Sequence, residues 1–143
     1  MPEQIFKIHS VIEMEDLGRQ IGLRLGAGDV LLLQGELGSG KTALTRGIGT
    51  ALGIFEVSSP TFVISKIYQG VIPLVHVDAY RLIGKEFAIF DDLDLETRIP
   101  QSITVIEWGN GFVERLGDSF IKIAIDFDED PNSRVVAIKG LEI

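Results

Sequence analysis

Residues 35–42 read Gly35-Glu36-Leu37-Gly38-Ser39-Gly40-Lys41-Thr42 and match the pattern G-x-x-x-x-G-K-[ST] at every position. Such a segment belongs between a buried strand and a helix that opens on its last residues. Both neighbours are in place. The apolar run Val30-Leu31-Leu32-Leu33 reads as a buried strand, and Leu44, Ile48 and Leu52 recur on one face of a following helix that ends near Gly53. Average residue usage puts a chance match in a chain of this length at about 1%, and the flanking strand and helix lower it further.

The chemistry that needs these residues is phosphate binding, because a phosphate chain is held by converging backbone N–H groups and the positive end of a helix dipole. Glu36, Leu37, Gly38, Ser39, Gly40, Lys41, Thr42 and Ala43 form the expected cradle. Gly35, Gly38 and Gly40 let the backbone turn and approach closely. Lys41 supplies a charge for the β- and γ-phosphates, and the Thr42 hydroxyl suits Mg²⁺, which prefers oxygen ligands. The alternative is a glycine-rich turn that only caps a helix. The pattern and its context favour a nucleoside triphosphate.

At 143 residues and 45% apolar composition, the chain is expected to form one compact domain over residues 1–143. It has no cysteine, so disulfides and thiolate metal sites are excluded, and its two histidines do not build a zinc site without carboxylates. Mg²⁺ is the only metal implied. No apolar stretch approaches the about 20 residues of a membrane span, and the N-terminus lacks the layout of a signal peptide. A cytoplasmic protein without membrane contact is expected. The net charge of −8 argues against strong binding to a phosphate backbone by this chain alone. Any RNA would be held by a partner.

Residues 4–9 read as a first strand. Ser10 with Glu13 makes a capping-box pattern opening a helix to about Leu25, closed by Gly26, with Leu17, Ile21 and Leu25 as its apolar stripe. The runs 62–68 and 73–77, joined by a turn containing Gly70, suggest an antiparallel hairpin beside the nucleotide site. Residues 82–100 are acidic and irregular, with a short helix around 86–93. Residues 102–107 read as a buried strand, 111–116 as one or two helical turns, and 119–127 with 134–139 as a closing hairpin around 128–131. More strands than helices after the loop predict an α/β fold of the three-layer P-loop NTPase type. Its sheet mixes parallel and antiparallel strands, with the ligand at the carboxyl ends of the parallel ones.

Hydrolysis requires a carboxylate near Mg²⁺, usually at the end of an apolar strand adjacent to the loop's own. Two runs qualify, 103–107 ending in Glu107 and 74–78 ending in Asp78; for either acid alone the alternative is a strand end facing water. Thr61, in Ser58-Ser59-Pro60-Thr61, either reaches the metal or terminal phosphate when its loop closes or belongs to a proline turn that starts a strand. His76, two residues before Asp78, shares that acid's face and either orients it or a water, or is a hydrogen-bonded core histidine. Trp108 either stacks on a base or partner or packs in the core. Arg81 faces phosphate or pairs with the acidic stretch, and Arg46 braces the loop's helix. No arginine is an evident finger for the transition state.

Taken in order, GELGSGKTALTRG at 35–47, SSPTF at 58–62, HVDAYRL at 76–82 and IEW at 106–108 resemble the small bacterial P-loop ATPases of the TsaE (YjeE) family. The resemblance covers about residues 10–110. It implies an ATPase of the pathway that makes N6-threonylcarbamoyladenosine (t6A) in tRNA, acting with a threonylcarbamoyl-transferase heterodimer of the TsaD and TsaB type. The ATPase would reset that complex between turnovers rather than perform the transfer, with tRNA reached only through the partners.

The resemblance also implies roles for single residues. Lys41 and Thr42 match phosphate and Mg²⁺ residues, Asp78 and Glu107 the acidic metal-site positions, Thr61 the switch-like loop, and Trp108 a role near nucleotide or partner. Asn110 stands where many relatives carry an acid, and residues 87–100 depart from the family's glycine-containing version.

Two other readings compete. A small-molecule kinase would use the same phosphate loop, but residues 84–96 lack the arginine-bearing lid it needs. A GTP-operated switch would need an N-K-x-D segment, which the sequence lacks.

Overall fold

The computed structural model describes residues 3–57, 65–78, 98–107 and 120–143. Among them, seven strands and two α-helices follow the order β1 (Gln4–Ile8), α1 (Val11–Gly22), β2 (Val30–Gly35), α2 (Lys41–Ala51), β3 (Ser65–Tyr68), β4 (Leu74–Asp78), β5 (Ile103–Glu107), β6 (Ile121–Phe127) and β7 (Arg134–Lys139). A 3-10 turn, Ile99–Gln101, leads into β5. The strands form one sheet in the order β1-β7-β6-β2-β5-β4-β3. β2 lies between β5 and β6 and is parallel to both, and β4 is parallel to β5. β3, β7 and β1 join as antiparallel neighbours. The expected α/β fold with a mixed sheet is therefore present.

β2 owes its central place to composition: Val30, Leu31, Leu32 and Leu33 are at most 5% exposed, as a strand covered on both faces requires. Alternation splits the central strands between faces. Leu31, Leu33, Ile103, Val105, Ile121 and Ile123 share one core with Leu17 and Ile21 of α1 and Leu44 and Ile48 of α2. Fully burying each such aliphatic side chain contributes about 1.5–3 kcal/mol. The sheet and this helix pair supply two layers. The third layer expected from sequence is not among the described residues, nor are the short helix expected around 86–93 and the helical turns at 111–116.

Local signals explain how α1 begins and ends. The Ser10 side chain accepts from the Glu13 backbone N–H at 3.1 Å, satisfying a first-turn donor. The helix stops at Gly22, three residues short of the expected end. There the bonds tighten from Leu23 N–H to Arg19 O into i→i−3 bonds, Arg24 to Ile21 and Leu25 to Gly22. Leu25 stays buried, so the apolar spacing continues past the helix that it marks.

Two glycines set how closely α1 and α2 cross. A Cβ on Gly18 would collide with the Leu44 carbonyl, and one on Gly47 with the Glu15 carbonyl. The helices thus meet backbone to backbone.

The hairpins form close to their expected bounds, with one change of place. β5 stands between β4 and β2, so the β3–β4 hairpin is not the loop strand's neighbour and only the end of β4 nears the loop. No helix among the described residues is long and apolar enough to cross a membrane.

Candidate functional site

The loop from β2 to α2 needs glycine for reasons visible in its backbone. Gly38 and Gly40 have φ of 82° and 113°, in the left-handed region that strains other residues. A Cβ on Gly35 would lie 2.5 Å from Ser39 Oγ. Glu36, Leu37 and Gly38 stand out into solvent, Leu37 being 95% exposed. Ser39 turns inward, and its buried hydroxyl has no hydrogen-bond partner. Thr42 is half-buried and Ala43 buried in the first turn of α2. Gly40 caps that helix without a side-chain bond, so the cap residue itself takes up none of the donors that a helix start leaves over.

Lys41 opens α2 and is 9% exposed. Its ammonium donates to the Gly35 carbonyl across the loop. Burial lowers its pKa from 10.5, and the charges of Glu107 and then Asp78 oppose that shift. The lysine therefore lies in the field of both acids that the sequence singled out.

Strand register brings those acids together. Asp78 pairs with Glu107 across β4 and β5, and Glu107 with Leu33 of β2, two residues before Gly35. Both acids reach the carboxyl edge from which the phosphate loop springs. Glu107 is 6% exposed, and the ring nitrogen Nε2 of His76 lies 3.1 Å from its Oε1. His76 itself is fully buried, and its Nδ1 has no partner. It shares a face with Asp78, as alternation required, but its bond goes to the acid on the next strand.

Arg46, expected to brace α2, lies 4.0 Å from Glu15 of α1, an exposed pair of small energetic weight. Arg134 was not anticipated. Its Nη2 donates to the Gly38 carbonyl at 3.4 Å, its Nη1 donates to the Pro131 and Ser133 carbonyls at 2.7 and 2.9 Å, and its guanidinium stacks 4.5 Å from the Phe127 ring. Nothing local marks it, because only the placing of β6 beside β2 carries the β6–β7 turn to the phosphate loop. Thr61, Trp108, Arg81 and Asn110 lie outside the described residues.

The residues present suit a phosphate-bound Mg²⁺ ion. The described residues hold no cluster of three or more His, Cys, Asp or Glu that would cage a metal. Two carboxylates and the Thr42 hydroxyl beside a phosphate loop are what Mg²⁺ accepts, since it keeps waters and shares its sphere with phosphate oxygens. The orphaned Ser39 hydroxyl and the crowded cradle at Gly35 fit an anion seated in the loop.

Comparison with known proteins bears out the family resemblance. The family model "Threonylcarbamoyl adenosine biosynthesis protein TsaE" matches residues 8–136. The Streptomyces coelicolor tRNA threonylcarbamoyladenosine biosynthesis protein TsaE is 45% identical over 135 residues, 90% of this chain and 90% of that protein. The protein of the same name from Mycobacterium tuberculosis is 37% identical over 128 residues, 83% of this chain and 76% of that one. A crystal structure of Bacillus subtilis YdiB superimposes with a TM-score of 0.79 at 28% identity, covering 99% of this chain and 87% of that one.

Proposed function

This chain belongs to the TsaE family of threonylcarbamoyl adenosine biosynthesis proteins, and on that premise we propose that it is a Mg²⁺-dependent ATPase serving t6A formation in tRNA. It acts beside a threonylcarbamoyl-transferase heterodimer of the TsaD and TsaB type, and tRNA is reached through those partners. The observation that carries the ATPase reading is the register that sets Asp78 and Glu107 side by side at the phosphate-loop edge, with Lys41 in the field of both.

Mg²⁺, when bound, would supply positive charge to the phosphate oxygens. The protein's own groups do the rest. The N–H groups of Glu36 to Ala43 hold the phosphate chain, and Lys41 exchanges its Gly35 carbonyl for phosphate oxygens. Thr42 and Asp78 would hold the metal's oxygen shell. Glu107, at the same edge, shares in that shell and orients the attacking water. The family resemblance assigns Thr61 to a switch-like loop and Trp108 to a role near nucleotide or partner.

An arginine at the transition state is worth about 10³–10⁵ in rate. Arg134, the arginine found at the loop, is committed to backbone carbonyls and an aromatic ring. Slow hydrolysis by the chain alone follows, with stimulation by the partner. The test is ATP turnover by the purified chain, alone and with the heterodimer of its own organism, with Mg²⁺ and then with chelator. Stimulation that disappears on chelation is expected; a partner without effect, or turnover indifferent to Mg²⁺, would refute the reading.

A further inference from the structure

His76 is fully buried on β4, between Leu74 and Asp78 on its own face and opposite Val105 of β5. Among these residues an aliphatic side chain would pack without desolvation cost, whereas an imidazole has two nitrogens to satisfy. Only one is satisfied: Nε2 meets Glu107 Oε1 at 3.1 Å, and Nδ1 has no partner. A carboxylate only accepts, so the shared hydrogen sits on Nε2 and Nδ1 is a bare lone pair. The imidazole is thus directed through Nε2 at one oxygen of one acid.

We propose that His76 is the positioning residue of the hydrolytic site: it fixes the carboxylate of Glu107 by holding Oε1, so that Oε2 is presented to the phosphate loop in a single orientation. The inference rests on the ATPase reading above. A glutamate has three side-chain torsions, and one left to itself at a strand end spends its time in several rotamers. The imidazole is immobilised by the strands around it and passes that order to the acid, as hydrogen-bonded partners behind functional groups do. His76 acts through Glu107 and touches no reacting atom.

The test uses the full chain with its stimulating partner. His76→Leu removes the donor, His76→Gln restores an N–H near the place of Nε2, and His76→Asn is too short to reach. Loss of such a partner typically costs about 10–100-fold in activity. The leucine and asparagine variants should therefore lose about that much in kcat with KM for ATP within about twofold, and the glutamine variant should recover to within about threefold. In a Glu107→Gln background, His76→Leu should produce no further loss. Should the leucine variant not fold, the glutamine and asparagine variants decide between them. Equal rates for those two, or an equal further loss in the Glu107→Gln background, would overturn the positioning role and leave the ATPase reading standing. Lys41→Ala serves as the separate control: if it binds and hydrolyses ATP like the parent chain, the ATPase reading fails and this inference with it.

Discussion

Asp78 and Glu107 are register partners on adjacent parallel strands, so their side chains leave the same face of the sheet at the same height. Under the proposed function, two acids so placed would act on one metal and one phosphate group, and their contributions would be coupled. Asp78→Asn should lower partner-stimulated kcat about tenfold and Glu107→Gln about 10²-fold, the scale seen when one group that stabilises a transition state is lost. The double variant should fall short of the product of the two losses, since neighbours sharing a site are not additive. Steady-state turnover across a Mg²⁺ titration checks both statements, and strict multiplicativity would count against a shared site.

Lys41 gives a stability prediction opposite in sign to its activity. Burial lowers its pKa from 10.5, so between the lowered value and 10.5 the unfolded chain binds the proton more readily than the folded one, and stability rises with pH across that window. The charged lysine is therefore a cost to the folded protein below the window. Lys41→Met should unfold at a higher temperature than the parent at neutral pH, and the advantage should shrink as pH climbs toward 10.5. The same variant should lose the rise in unfolding temperature that ATP with Mg²⁺ gives the parent. Thermal unfolding at several pH values, with and without nucleotide, reads out all three.

Arg134 ties the β6–β7 turn to the crest of the phosphate loop through the Gly38 carbonyl. Arg134→Ala should weaken ATP binding about two- to fivefold, the weight of one modest hydrogen bond and a stacked cation. Arg134→Lys should not restore it, because a lysine lacks the planar fork that serves three carbonyls at once. Equilibrium binding of the three proteins decides; full recovery with lysine would show that charge alone matters.

Gly47→Ala should be costly out of proportion to a single methyl. The added carbon would meet the Glu15 carbonyl, with the Arg19 nitrogen 2.9 Å away, so the helices must part. Overpacking of this kind costs about 1–3 kcal/mol, and a clear drop in unfolding temperature is expected. Gly26→Ala is the control: a Cβ there meets nothing within 4 Å, and φ is not positive. It should leave the protein unchanged or slightly stabilised.

The glycine loop between β2 and α2 was readable from sequence because its residues are contiguous, and Gly38 and Gly40 show in their backbone why no other residues serve. Asp78 and Glu107 were readable as strand ends. Their adjacency was not, since it comes from pairing residues that lie far apart in the chain. Alternation placed His76 on the face of Asp78 but gave no hint that its partner would be Glu107. Arg134 was invisible for the same reason: strand order, a property of the whole sheet, brings it to Gly38. The end of α1 was overshot because burial of Leu25 prolongs a helical spacing that the backbone has already left.

The contact between Gly18 and Leu44, and between Gly47 and Glu15, also governs how force travels. Helices separated by side chains have a compliant layer between them. These two have none at their crossing, so they shift as one stiff body. The absence of side chains at Gly18 and Gly47 thus leaves the start of α2 no slack against α1.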